Sequence, residues 1–259
     1  MVRELFRHIP GIEAHQLFGP NPIYLSPDTA STLTAAARKI VENTPLQYVL
    51  GKAYFYDLEL CVTPDVLIPR PETEELVRWA LEQPLPPSPR ILDAGTGSGC
   101  IAIALARNTK GSCVYALDIS EKALKVASSN AVRAGVCVRF YLHNILNLQP
   151  VELEGYPFHL VVSNPPYVCQ REAVNMQPNV LNHEPHNALF VPDNDPLVFY
   201  SAIASQAHWL LVPGGTLMFE INEGFGQQTV KLLEINGFAQ VELRKDINGK
   251  DRMVKGVWQ

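Results

Sequence analysis

From about residue 90 onward, two hydrophobic patterns alternate along the chain. Short and nearly continuous apolar runs, "RILDAG", "CVYALD", "VRFYL", "HLVVSN" and "GTLMFEI", have the length and β-branched content of buried strands. Between them lie helical stretches such as "SEKALKVASSNAVRAG" and "PLVFYSAIASQAHWLL". Strands that are apolar on both faces and alternate with helices predict a parallel sheet covered on both sides, an α/β three-layer domain over residues 90–259. The tail departs from this rhythm: "AQVELRKD" and "DRMVKGVW" flank "INGK", whose Asn248-Gly249 pair predicts a hairpin. The last strand is therefore expected to run antiparallel, at one edge of the sheet.

Before residue 90 the pattern is different. "SPDTASTLTAAARKIVE" offers Ser26 as an N-cap and Pro27 at the first helical position, within a short helical region expected over residues 1–50. "AYFYDLELCV" reads as a strand pair, and "LIPRPETEELVRWALEQ" as a helix with Pro71 in its first turn and Glu72, Glu74 and Glu75 complementing the helix dipole. "PLPPSP" cannot continue that helix, so residues 51–89 are expected to form a β-hairpin, a helix and an extended linker.

Composition narrows the functional classes. At 259 residues, 47% hydrophobic and 18% charged, the chain can bury a large core. With 21 basic against 26 acidic residues, a net charge of −5, it lacks the cationic surface that binds nucleic acid without sequence preference. Cys61, Cys100, Cys113, Cys137 and Cys169 form no C-x-x-C pair and are odd in number, the usage of reduced thiols. No apolar stretch reaches the roughly 18 residues of a membrane span. The expectation is a cytoplasmic protein, a monomer, without membrane attachment. The "HEPH" run, His183 to His186, is not expected to hold metal, because Pro185 disfavours the helix that would put both rings on one face.

Two motifs carry the chemistry. In "LDAGTGSGC" the glycines Gly95, Gly97 and Gly99 follow a strand and open a helix, letting backbone approach a ligand, and Asp118 closes the next strand where a carboxylate can take ribose hydroxyls. The third glycine comes one residue too early for a dinucleotide loop, and Cys100 stands in its place. The ligand is nucleoside-bearing without a pyrophosphate. "VVSNPPYV" then ends a strand on Asn164, on the same sheet edge as the glycine loop. A planar nitrogen is a poor nucleophile unless its N–H groups are held by acceptors. The Asn164 side-chain oxygen and the Pro165 carbonyl, stiffened by Pro166, can serve, with Tyr167 offering a flat face.

The loop resembles the first motif of the S-adenosylmethionine-dependent methyltransferases, and Asn-Pro-Pro-Tyr is shared with adenine amino-methyltransferases acting on DNA. "PLQYVLG" (45–51), "LIPRPETEELV" (67–77), "LDAGTGSGCIAIALA" (92–106), "ALDIS" (116–120), "VSNPPYV" (162–168), "EPHNALF" (184–190) and the closing "PGG" and "DRMVKG" together resemble the release-factor glutamine methyltransferases of the HemK/PrmC type. The resemblance implies a Rossmann-like sheet of seven strands, mostly parallel, behind a small N-terminal helical domain that docks the substrate. It implies S-adenosylmethionine as donor, S-adenosylhomocysteine as product, and a glutamine in the Gly-Gly-Gln loop of a peptide chain release factor as acceptor, with no direct binding of DNA. The donor would contact Gly95, Thr96, Gly97, Ser98, Gly99, Asp118, Ile119, Asn144, Ile145 and Asn164. The acceptor would meet Asn164, Pro165, Pro166 and Tyr167, with Phe55 and the "IPRPETE" loop walling the pocket. Asn144 stands where the family commonly has an acid, His159 where it usually has Asp, and the leading region is shorter than the family's helical domain.

Overall fold

The structure, a computed structural model, describes residues 24–147 and 157–259. The first part of the expected N-terminal helical region, and residues 148–156, lie outside it. Helix α1 (Pro27–Val41) begins as anticipated, with Ser26 Oγ accepting from Thr29 N at 3.1 Å. A short α2 (Leu46–Leu50) packs on it, around Leu33. The hairpin of β1 (Lys52–Phe55) and β2 (Leu58–Cys61) and helix α3 (Pro71–Leu81) follow.

The sheet is built from β3 (Arg90–Ala94), β4 (Cys113–Asp118), β5 (Val138–Leu142), β6 (Phe158–Ser163), β9 (Leu211–Glu220), β10 (Phe238–Lys245) and β11 (Asp251–Trp258). Their order is β10-β11-β9-β6-β3-β4-β5. All neighbouring pairs from β9 to β5 are parallel, and β11 runs antiparallel between β9 and β10. The last strand is thus antiparallel as expected, one place in from the edge. Its hairpin turns at Gly249, with φ +77°. A two-stranded piece of β7 (Val168–Cys169) and β8 (Phe190–Val191), absent from the sequence expectation, flanks the Asn-Pro-Pro-Tyr segment.

Helices α4 (Cys100–Asn108) and α5 (Glu121–Ala134) join α3 in the layer on one face, where Leu76, Trp79, Ile103 and Leu105 are buried with Ile91 and Leu160 of the sheet. The other face is covered by α7 (Val198–Ala204), α8 (Ala207–Leu210) and α9 (Gly226–Ile235), around Tyr200, Phe219 and Leu233, while a short α6 (Pro178–Leu181) lies in the connection after β7. The stretch read as one helix from "PLVFYSAIASQAHWLL" is two, because the chain turns at Ser205 and Gln206, whose side chains bond the Ala202 carbonyl. Among the described residues no helix is long and apolar enough to cross a membrane.

His159 has a structural task. Its Nδ1 accepts from Arg90 N at 3.0 Å across the start of β3 and β6, and burial with the nearby Arg90 charge lowers its pKa.

One buried amide ties the hairpin to the sheet. Asn130 of α5, 1% exposed, accepts from Cys61 N at 2.7 Å and donates to the Cys61 and Ser98 carbonyls, both at 2.9 Å. Asn130→Ala removes the partner of three backbone groups, one buried and two partly buried, and is expected to cost about 2–3 kcal/mol. Urea denaturation should show a lower midpoint at an unchanged slope.

Candidate active site

The glycine loop leaves β3 under tight control. Gly95 N and Thr96 N both donate to the Leu117 carbonyl, at 2.9 and 2.8 Å, which pins the loop to β4. Beneath it Asp93 is fully buried, with Oδ2 accepting from Thr96 Oγ1 at 2.6 Å and from Ala102 N at 3.1 Å. Burial pushes its pKa up to about 7. Gly95 (φ +83°) and Gly97 (φ +54°) have open space where a Cβ would stand. That space belongs to a cavity of about 380 Å³.

Gly99 is a correction to the sequence expectation. It does not line the cavity; a Cβ there would meet Ile103 Cδ1 at 3.0 Å and Ala127 Cβ at 3.1 Å. Its missing side chain lets α4 lie against α5.

Thr96, Gly97, Ser98, Asp118, Ile119, Asn144 and Ile145 do face the cavity. Asp118 also shapes the loop, accepting from Gly97 N on Oδ2 and from Ser120 N on Oδ1, both at 2.8 Å. Each oxygen keeps further lone-pair capacity for a ligand hydroxyl. Burial raises the Asp118 pKa against the pull of those backbone donors. The Asn144 oxygen is partly engaged, accepting from Leu146 N at 3.0 Å.

Across the cavity stands Asn164, just beyond the end of β6. Its Nδ2 donates to Thr73 Oγ1 at 3.2 Å, and Thr73 donates to Glu220 Oε2 at 2.6 Å. The Tyr167 hydroxyl donates to Glu220 Oε1 at 3.0 Å. Asn164 is also shared with a second, smaller cavity of about 40 Å³, lined by Leu67, Pro165, Tyr167 and Leu189. Of the Asn-Pro-Pro-Tyr segment, then, Asn164 and Pro166 face the large cavity, and Asn164, Pro165 and Tyr167 the small one.

Phe55 is the other correction. It is 1% exposed and packs with Leu58, Leu76 and Trp79 in the core, away from both cavities. Strand alternation pairs it inward with Leu58, so its ring serves the hairpin core.

The "IPRPETE" loop does wall the site, through residues not singled out in the sequence. Arg70 lines both cavities and donates to Glu184 Oε1 at 2.5 Å, while Glu184, nearly fully buried, also accepts from Ile68 N at 3.2 Å. This pair clamps "IPRPETE" to "EPHNALF", two segments more than 100 residues apart in sequence, as the 114-residue separation of Arg70 and Glu184 shows. Thr73 and Glu220 were missed too. The available signal for Glu220 was an acid closing the apolar run "GTLMFEI".

A family described as "Methyltransferase domain" matches residues 87–259. Release factor glutamine methyltransferase from Flavobacterium psychrophilum is 48% identical over 221 residues, 84% of this chain and 76% of that protein. The protein of the same name from Bacteroides thetaiotaomicron is 42% identical over 244 residues, 94% of this chain and 87% of its own. Among solved structures, a methyltransferase from Pyrococcus furiosus superposes with a TM-score of 0.59 at 16% identity, covering 86% of this chain and 98% of that one. A ribosomal protein L11 methylase from Lactobacillus delbrueckii gives 0.52 at 20% identity, over 76% and 82%. At these identities the structures speak for the fold alone.

The clamp gives a stability test independent of any ligand. Arg70→Met leaves Glu184 buried without its cation, at an expected cost of about 2–3 kcal/mol, discounted because Arg70 is partly exposed. Adding Glu184→Met should recover much of that loss in urea denaturation; a double variant no more stable than the single would mean the pair is not the source of the cost.

Proposed function

This chain belongs to the family of release factor glutamine methyltransferases, and on that footing we propose that it transfers a methyl group from S-adenosylmethionine to the side-chain amide nitrogen of one glutamine in a peptide chain release factor. The finer assignment is the glutamine of the Gly-Gly-Gln loop. The observation that carries this reading is the position of Asn164 at the junction of two cavities, a large one for the donor and a narrow one for an unbranched side chain.

The residues of the large cavity fit the donor. Gly95 and Gly97 leave room beside the loop, Asp118 keeps acceptor capacity for ribose hydroxyls, and Ile145 and Phe199 provide apolar wall for an adenine ring. Asn144, on the same cavity wall, would offer polar contact to that ring. Bound there, S-adenosylmethionine would supply an electrophilic methyl on its sulfonium, and S-adenosylhomocysteine would leave.

The chain's own work is orientation. An amide nitrogen has its lone pair delocalised into the carbonyl, so Asn164 Oδ1 and the Pro165 carbonyl would accept its two N–H groups and hold the nitrogen in line with the donor. No strong base is needed at the nitrogen before transfer, because the N-methylated amide cation is strongly acidic and would give up its extra proton to water once the methyl–sulfur bond has broken. Positioning reacting atoms about 3 to 3.5 Å apart lowers the barrier by several kcal/mol. Pro165, buried between its neighbours, gives its carbonyl little freedom to stray. The Tyr167 ring, in the wall of the smaller cavity, would lie along the acceptor side chain.

The adenine amino-methyltransferase reading shares this chemistry but fits the charge less well. Duplex DNA requires several phosphates to be neutralised, and 26 acidic residues outnumber 21 basic ones here. A glutamine at a loop tip enters a narrow pocket without any base being unstacked.

Mass spectrometry of a release factor incubated with the enzyme and donor should show one added methyl on the Gly-Gly-Gln glutamine. Methyl label found in DNA and not in the release factor would overturn the assignment. The two halves of the site should separate in mutants. Asn164→Ala is expected to lower turnover at least about a hundredfold with donor affinity within a few-fold. Asp118→Ala should instead weaken donor binding by roughly ten- to a hundredfold in calorimetry.

A further inference from the structure

The side-chain amide of Asn164 has two ends of nearly equal shape and opposite chemistry. Only the oxygen can hold an N–H of an acceptor amide. If the NH2 end faced the acceptor, two donors would meet. Something must therefore decide which way the amide is turned, and shape alone does not do it.

The hydrogen bonds around Glu220 do. This residue ends β9 at 1% exposure, and both its oxygens are occupied: Thr73 donates to Oε2 at 2.6 Å and Tyr167 to Oε1 at 3.0 Å. A hydroxyl has one proton. With the Thr73 proton committed to the carboxylate, Thr73 presents only lone pairs to Asn164, so the atom 3.2 Å away must be Nδ2. Oδ1 is then the end left for a ligand.

We propose that Glu220, acting through the Thr73 hydroxyl, is a positioning residue that keeps the accepting oxygen of Asn164 turned to the methyl acceptor; this rests on the role given to Asn164 above. Glu220 touches no part of either cavity wall, so its effect is transmitted, while Thr73 borders the large cavity. The carboxylate makes the relay one-way because it has acceptors only. The same carboxylate anchors Tyr167, so both ends of Asn-Pro-Pro-Tyr are referred to one buried group.

The isosteric change Glu220→Gln tests direction rather than size. Glutamine brings one donor end. Turned to Tyr167, it would present a donor to the tyrosine hydroxyl in place of the acceptor that Glu220 Oε1 supplies. The arrangement that keeps an acceptor on the tyrosine proton puts the new NH2 on Thr73. Thr73 then accepts from residue 220, donates to Asn164, and turns the Asn164 oxygen away from the acceptor.

The experiment combines kinetics with an observable that needs no methyl transfer. In Glu220→Gln and Thr73→Val, kcat toward the release factor should fall at least tenfold, while the donor Kd by calorimetry stays within threefold. Thr73→Ser, which keeps the hydroxyl, should stay within threefold of wild type. In 15N NMR of the full chain without acceptor, the Asn164 side-chain NH2 should exchange its protons at least tenfold faster in Glu220→Gln than in wild type, because it now faces the cavity. Unchanged exchange in Glu220→Gln overturns the relay whatever the kcat. A wild-type enzyme that methylates no release factor overturns the functional reading instead, and the exchange rates still decide the relay.

Discussion

Parallel strands must all finish on the same edge of a sheet, and the glycine loop, Asp118, Asn164 and Glu220 owe their place to that constraint. β9, β6, β3, β4 and β5 deliver Glu220, Ser163, Ala94, Asp118 and Leu142 to one rim. The order in the sheet, with β6 and β4 on opposite sides of β3, opens the crevice at the start of the glycine loop. Most polar groups arriving at this buried rim are paired there, although Asp93 Oδ1 has no partner among the described residues. Ser163 Oγ donates to the Ala94 carbonyl at 2.5 Å, Asp93 takes Thr96 and Ala102, and Glu220 takes Thr73 and Tyr167. The pairing that makes burial tolerable also fixes the geometry of the site.

The segment before the sheet completes the enclosure. The hairpin and α3 bury Leu60, Leu76 and Trp79 against α4 and the sheet, and this apolar contact supplies the adhesion. Polar links then set the register: Asn130 holds Cys61 to the glycine loop, Thr73 meets Glu220, and Arg70 meets Glu184. Arg244, with its guanidinium 4.3 Å from the centre of the Trp79 ring, caps the same contact from β10. One wall of the large cavity belongs to the rim of the sheet, and the rest is closed by chain from before β3 and from the connection between β6 and β9.

Local signals were read best where one short segment decides its own conformation. Ser26 caps α1, Asn248-Gly249 turns the final hairpin, and the five apolar runs after residue 90 are strands of one sheet. Gly95, Gly97 and Gly99 could be recognised because all three have a positive φ, which favours glycine whatever surrounds it. Spacing could not show that Gly99, which shares the positive φ of the other two, is the one of the three that also packs against Ala127 on another helix. Phe55 misled for a related cause: an aromatic residue in a hairpin near the pocket motif carries no local mark of whether it faces the cavity or the core.

The sequence by itself determined the α/β class, the glycine loop between strand and helix, and an amide side chain at the end of the strand that finishes on Asn164, because periodicity, loop stereochemistry and residue identity are local properties. Only the tertiary structure decided that Glu220 governs Thr73, that Arg70 clamps Glu184, and that Asn164 stands between two cavities. Those pairings join residues 147 and 114 positions apart. A hydrogen bond acts over about 3 Å, so nothing in either segment alone announces its partner, and the pairing exists only once burial has brought both into the same dry space.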